Sequence, residues 1–388
     1  NNIPIIGSYD KLILLKQQNP TLEILLAVPN LDTDERRRII SKLEQLKVAV
    51  RTVPSFHELI SDQKKMTDIQ NLSLDDLLPR ARVAEGLIEN AVEKTLFISG
   101  AGGSIGSEIA RQLLKNNPKK IILFDVSEYN LFNIERQCQV IKNSKDLLTE
   151  IIPILGDVRD KQSLSFLFQK FKINHVYHAA AYKHVPLVEA PLNITKACEN
   201  NVIGTYNLAQ ISIECNVESF VMISTDKAVR PSNIMGASKR MAEMLIQSLN
   251  STVSQTKFCM VRFGNVINSS GSVIPLFLDQ IAKGGPVTVT DKDVTRYFMT
   301  IPEASNLVLQ AAQMSDGGEV FILDMGEQLK IYDLAKKLIH LSGRNIASEP
   351  GGGGIGIIEV GLRPGEKMFE ELLISGEQET TKNPKIFK

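Results

Sequence analysis

The chain contains no tryptophan and only four cysteines in 388 residues. Cys138, Cys198, Cys215 and Cys259 form no CxxC pair and have no histidine at metal-ligand spacing, which argues against a structural zinc site or a disulfide framework. A reduced, cytosolic setting follows from that usage, and no metal is expected. Charge of one sign is also missing, since Lys plus Arg and Asp plus Glu stand at 44 each. That balance leaves no basic footprint for a nucleic acid. No apolar run reaches the ~18 residues needed to cross a bilayer, and no secretory signal is present. The first residue is Asn rather than Met, close to the end of an element, which reads as a soluble piece of a longer protein. What is there is ordinary globular material, 43% hydrophobic and 23% charged, enough for two or three domains.

Residues 1–65 read as a partial α/β unit. The run LEILLAV (22–28) predicts a strand of the kind a parallel sheet buries on both faces. Asn30 and Asp32 offer caps for a helix whose Ile39, Ile40, Leu43 and Leu46 share a stripe, and residues 48–53 predict a second strand. Charged residues 61–73 read as linker, and the linker between the two units is drawn over 66–93. From residue 94 strands at 95–99, 120–125, 151–155, 175–179 and 219–224 alternate with helices, which predicts a doubly wound parallel sheet, a Rossmann domain over 94–265. Past about 265 the spacing loosens. A strand at 287–290 and a helix at 331–341 predict a smaller substrate-binding lobe over 266–388, and Gly351 to Gly354 read as a turn because no Lys-Ser/Thr follows.

Gly100, Gly103 and Gly106 follow the first strand of this domain and open a helix with Ser104 and Ile105. Glycines are needed there so that main-chain N–H groups at a helix N-terminus can touch a pyrophosphate. Asp125 closes the next strand, where a carboxylate holds ribose hydroxyls and repels a 2′-phosphate, so NAD is expected rather than NADP. Asp157 and Val158 follow the third strand, facing the adenine. Ala179, Ala180 and Ala181 follow the fourth and form a small-residue shelf on the nicotinamide side. His175 and His178 have i,i+3 spacing but point to opposite faces of a strand, and both read as structural.

These strings resemble the extended short-chain dehydrogenase/reductase superfamily. More narrowly, they resemble the large membrane-anchored UDP-N-acetylglucosamine 4,6-dehydratases of bacterial surface-glycan pathways, the bacillosamine-pathway enzyme included. The resemblance is carried by GAGGSIGSEIARQ (100–112), HAAAYKHVPLVE (178–189), NVIGT (201–205), STDKAV (224–229), VRFGNVINSSGSVIPLF (261–277) and GLRPGEK (361–367). In such enzymes a hydride leaves sugar C4 for NAD, the C5 proton is removed, water leaves from C6, and the hydride returns to C6. The superfamily carries Tyr four residues before the Lys that here is Lys239. That position is Met235, and a thioether neither takes nor gives a proton.

The resemblance therefore implies that the proton chemistry has moved to Thr225, Asp226 and Lys227. Asp226 accepts the 4-OH proton and returns it to the C6 hydroxyl, while Lys227 takes the C5 proton if desolvation and nearby cations lower its pKa. By the same resemblance Lys239 and Ser224 lie against the cofactor, Lys183 and His184 beside nicotinamide and sugar, and Asn201 and Asn265 at the sheet edge. Arg296 and Arg363 suit the UDP pyrophosphate, Glu366 the uridine ribose, and the backbone near Val287 and Thr288 the uracil. The implied setting is the cytoplasmic face of the bacterial inner membrane, reached through a segment outside this chain, with a homo-oligomer expected and no nucleic-acid partner. Two other readings compete: a nucleotide-sugar C4-epimerase, and a catalytically silent NAD-binding scaffold.

Overall fold

A computed structural model of the chain describes residues 5, 7–19, 21–28, 33–53, 70–71, 91–252, 255–267, 269, 272–347, 353–373 and 378–388. By contacts, residues 83–270, 296–328 and 363–388 group as one unit, and residues 1–82, 271–295 and 329–362 as another.

The larger unit is built on an eight-stranded sheet. Its strands are β1 (Thr95–Ser99), β2 (Lys120–Asp125), β3 (Glu150–Leu155), β4 (His175–His178), β5 (Ser219–Ile223), β6 (Lys257–Arg262), β7 (Val320–Leu323) and β8 (Ile386–Phe387). In space they run β8-β7-β6-β5-β4-β1-β2-β3, parallel except for β8, so the order reverses beside β1 as in doubly wound dinucleotide folds. Its helices include α1 (Ser104–Leu114), α2 (Glu128–Ser144), α3 (Lys161–Phe171), α4 (Pro191–Cys198), α5 (Gly204–Glu214), α6 (Ile234–Thr252) and α7 (Ile301–Met314).

The period-2 alternation of the strands sorts the core. Leu96, Ile98, Ile121, Leu123 and Val221 join a cluster with Ile109 and Leu113 of α1 and Leu307 of α7. Phe97, Ile122, Phe124, Phe220 and Met222 point the other way, onto Leu164 and Phe168 of α3, Leu208 of α5 and Ile246 of α6. Helices on both faces are why these strands read as continuous apolar runs. The sequence reading did not name β6, β7 or β8, although α6 precedes β6 and α7 precedes β7.

In the smaller unit Glu23–Leu26 pairs with Ala49–Thr52, and that strand with Gln70–Asn71. The expectation that 22–28 is buried on both faces is corrected: Leu26 is buried, but Leu25 is 46% exposed. The reason is its place at the edge of a three-stranded sheet. The helix Thr33–Gln45 packs on Ile331–Leu341, and Val287–Val289 pairs in parallel with Ile357–Glu359. The proposed caps Asn30 and Asp32, nearly all of the 61–73 and 66–93 linker, and Gly351 and Gly352 lie outside the described residues. Among the described residues no helix is long and apolar enough to cross a membrane.

Candidate active site

After β1 the chain turns at Gly100 with φ +66°, and a Cβ there would sit 2.6 Å from the Ala180 nitrogen. Only glycine takes that conformation and that approach together. Gly106 faces the Gly100 carbonyl so closely that any side chain would strike it. Gly103 caps α1 with no side-chain acceptor, leaving the first-turn N–H groups at Ser104 and Ile105 without a side-chain cap. Ala179 continues from β4, donating its N–H to Ser99 at 3.0 Å, with Ala180 and Ala181 half-buried behind it.

Asp125 does more than the sequence reading assigned it. Its two carboxylate oxygens accept from the N–H of Gly102 and of Ser127, both at 2.8 Å, tying the glycine loop to the start of α2. Each oxygen keeps a further acceptor site. Asp157 is gripped by Arg159 at 2.9 Å, and that guanidinium holds its carboxyl below the usual range. A cavity of 460 Å³ opens beside them, lined by Asp157, Arg159, Asp160, Glu199 and Ile203, while Val158 is buried against Gly204.

At the end of β5 the Asp226 N–H donates to Phe263 at 3.1 Å, and a single 3₁₀ turn (Asp226–Ala228) follows, capped by the Thr225 hydroxyl, which accepts from the Lys227 N–H. Asp226 is fully buried. Its Oδ1 accepts from the Thr225 hydroxyl at 3.0 Å and from Lys227 Nζ at 3.0 Å. Lys227 also donates to Asn265 Oδ1 at 3.2 Å. Asp226 Oδ2 lies beside Gly264, where a Cβ would come within 3.0 Å of it, and is buried without a hydrogen-bond partner.

Sequence reasoning missed a second carboxylate here. Glu370, 5% exposed, approaches Lys227 Nζ at 3.5 Å and Arg296 Nε at 4.0 Å, and its Oε2 is likewise buried and unpartnered. It lies seven residues past Arg363, in the FEE run that follows GLRPGEK. Nothing in its spacing to Lys227 marks it, because tertiary structure alone brings the two together. The condition placed on Lys227 is corrected accordingly. Burial by itself would depress its ionisation, but Asp226 and Glu370 outweigh that and the net direction is up, so the lysine rests as an ammonium.

Arg296 donates to Glu366 at 2.9 Å and to the Met368 carbonyl at 3.1 Å, while Arg363 is exposed. The Gly365 carbonyl accepts from Ser232 at 2.8 Å and Asn233 at 3.0 Å, docking the 361–367 loop on the entry to α6. Val287 and Thr288 belong to the other unit, where Thr288 pairs with Gln280.

Met235 is 3% exposed and packs with Val188 and Ala197 in an apolar nest. One helical turn on, Lys239 is buried and its amine is pushed down to about 8 by burial, against the opposing Glu243 carboxylate. Two expected ligand contacts are instead committed within the protein. Ser224 donates to the buried Glu243 at 2.7 Å, a carboxylate also forked by Arg262. Asn201, in a π-helical turn (Glu199–Ile203), accepts from the Tyr182 and Asn200 nitrogens and donates to the Tyr182 carbonyl and Ser238. Its amide is saturated and clamps the 182 loop to α6. Lys183 is exposed, and burial with the Lys183 charge lowers His184. His178 bridges Ser99 at 2.7 Å and Thr205 at 2.8 Å, and burial pushes it down to about 3. It is a structural histidine.

A family model described as "Polysaccharide biosynthesis protein" matches residues 96–388. The chain belongs to this polysaccharide biosynthesis family. Among its relatives, the capsular polysaccharide biosynthesis protein CapD of Staphylococcus aureus is 47% identical over 92% of this chain. The probable polysaccharide biosynthesis protein EpsC of Bacillus subtilis (strain 168) is 45% identical over 97% of it. The chain spans only 58% and 61% of those two proteins. A UDP-glucose 4-epimerase of Rickettsia prowazekii is 35% identical over 73% of this chain and 79% of its own length. Among solved structures, Pen from Bacillus thuringiensis superposes with a TM-score of 0.64 at 36% identity, covering 73% of this chain and 83% of that one. DesIV, a dTDP-glucose 4,6-dehydratase from Streptomyces venezuelae solved with NAD and TYD bound, shares the fold at 21% identity and a TM-score of 0.59, over 72% of this chain and 88% of its own.

Proposed function

We propose that the chain is a nucleotide-sugar-modifying enzyme, an NAD-dependent UDP-N-acetylglucosamine 4,6-dehydratase that works without a catalytic tyrosine. The observation that carries the reading is the fully buried Asp226 bonded to Lys227 at 3.0 Å beyond β5, with Met235 at the tyrosine position sealed in an apolar nest. A buried acid–amine pair at the end of a strand is costly for a fold alone and useful for proton transfer.

The glycine cradle fits the cofactor. Gly100, Gly103 and Gly106 leave no side chain over the N-terminus of α1, Asp125 retains acceptor capacity for ribose hydroxyls, and Ala179 to Ala181 keep the nicotinamide side open. When bound, NAD supplies a hydride acceptor for C4 and returns that hydride to C6. Asp226 takes the 4-OH proton, with Thr225 orienting its Oδ1, and later gives it to the departing C6 hydroxyl. Lys227 takes the C5 proton and returns it to C5 as the hydride adds at C6, and only the minority of molecules with a neutral Lys227 turn over. Lys239 supports the nicotinamide ribose, Lys183, His184 and Asn265 face the sugar, and Arg296, Arg363 and Glu366 serve the UDP group. The parent protein is membrane-anchored at the cytoplasmic face and forms a homo-oligomer.

The test is incubation with UDP-N-acetylglucosamine and catalytic NAD, followed by mass spectrometry of the sugar nucleotide. Loss of one water without stoichiometric NADH supports the dehydratase. An unchanged mass with altered sugar configuration supports C4 epimerisation, the reading favoured by the Rickettsia relative. No product, with NAD still bound, leaves a silent scaffold and sinks both.

A further inference from the structure

Few buried side-chain polar atoms lack a hydrogen bond among the described residues, yet two of them are carboxylate oxygens flanking one lysine: Asp226 Oδ2 and Glu370 Oε2. An ionised oxygen buried without a donor is expensive, and native folds seldom carry one without a compensating use. We propose that Glu370 is a positioning residue for Lys227: together with Asp226 it brackets the amine, fixes where it points and sets how tightly it keeps its proton.

The geometry is two-sided. Asp226 holds Nζ at 3.0 Å from the turn after β5, and Glu370 holds it at 3.5 Å from the segment behind the 361–367 loop. The other groups facing Lys227 are Asn265, which is neutral, and Arg296, whose charge opposes the two carboxylates. Arg296 is itself shared between Glu366 and Glu370, so three carboxylates face two cations in one cluster. The two carboxylates against its amine favour the charged form of Lys227. A neutral Asp226, formed when it accepts a proton, would leave Glu370 as the remaining carboxylate on the amine. Glu370 would then decide whether Lys227 stays in place through the cycle. The catalytic consequence rests on the dehydratase reading above, whereas the bracket itself does not.

The experiment is a pH titration of Lys227 by NMR in the full chain with ¹³Cε-labelled lysine, its resonance assigned by its loss in Lys227→Gln. Glu370→Gln keeps the shape and removes one charge, so the Lys227 transition should move down by about 1–3 pH units. Glu371→Gln, the neighbouring carboxylate paired with Arg230 at the surface, should leave it in place. In parallel, the pH profile of kcat/KM should shift downward by the same amount in Glu370→Gln. An unmoved Lys227 transition in a folded Glu370→Gln chain overturns the proposal. If that variant fails to fold, Glu370→Asp decides: its charge is retained at longer reach, so a smaller downward shift supports the bracket and no shift overturns it. A shifted Lys227 in a chain with no dehydratase activity supports the bracket and refutes the proposed function.

Discussion

The glycine loop and the ionic cluster are two ways of building a site in one unit. The loop comprises residues 100–106, contiguous in sequence, and works through backbone: a positive φ at Gly100, missing Cβ atoms and an uncapped helix end. The cluster draws Asp226, Lys227, Asn265, Arg296 and Glu370 from four separate segments and works through side-chain charge. A site made of backbone is legible from spacing. One made of side-chain charge depends on which segments the fold brings together, and its energetics depend on how completely water is shut out.

The sharpest way to break the comparison is Asp226→Asn, which removes charge and leaves shape. A loss of about 10²–10⁴-fold in turnover is expected, including the first hydride transfer. Transient NADH at the wild-type rate in a rapid-mixing experiment would remove Asp226 from that step. On the loop side, Gly100→Ala sets a Cβ against Ala179 and Ala180 in a left-handed conformation. The conformation alone costs about 1–2 kcal/mol, and the collision adds to it, so the melting temperature should fall and NAD should no longer raise it. Unaltered NAD stabilisation would show that the loop does not hold the cofactor.

The pH dependence separates the two regions next. With Lys227 raised and needed as a neutral amine, kcat/KM should climb about tenfold per pH unit from neutrality toward the lysine transition. The same pairing stabilises the fold fully below the ordinary lysine range of about 10.4, and that contribution is lost as pH rises through the raised folded value. A flat rate profile would mean that Lys227 acts as a cation instead. The smallest effect belongs to Met235→Leu. A near-isosteric swap in the apolar nest should cost less than about 1.5 kcal/mol in chemical denaturation and leave turnover nearly unchanged. A large loss of turnover would give the thioether a role that its chemistry does not explain.

Much of the fold was legible because a parallel sheet covered on both faces writes itself as apolar runs separated by helices. The strands beginning at Thr95 and Lys120, and the cradle at Gly100, could be read directly. β6 and β7 escaped although a helix, α6 or α7, precedes each, because Lys257–Arg262 is charged at both ends and Val320–Leu323 is only four residues long. At the site, Asp226 and Lys227 were visible as an adjacent pair, but the direction of Lys227's ionisation was not. Burial and two carboxylates pull it opposite ways, and only distances say which wins. Asn201 and Ser224 looked like ligand contacts from their position, yet Tyr182, Ser238 and Glu243 occupy their hydrogen-bonding groups.

By itself the sequence determined the doubly wound sheet, the glycine cradle and the missing phenol at Met235, because each depends on local pattern or on one residue's chemistry. Tertiary structure alone decided that Glu370 meets Lys227, that Lys227 rests charged, and that Met235 lies in an apolar nest. Those outcomes come from groups far apart in the chain, and electrostatic energy depends on their distance and burial rather than on their order.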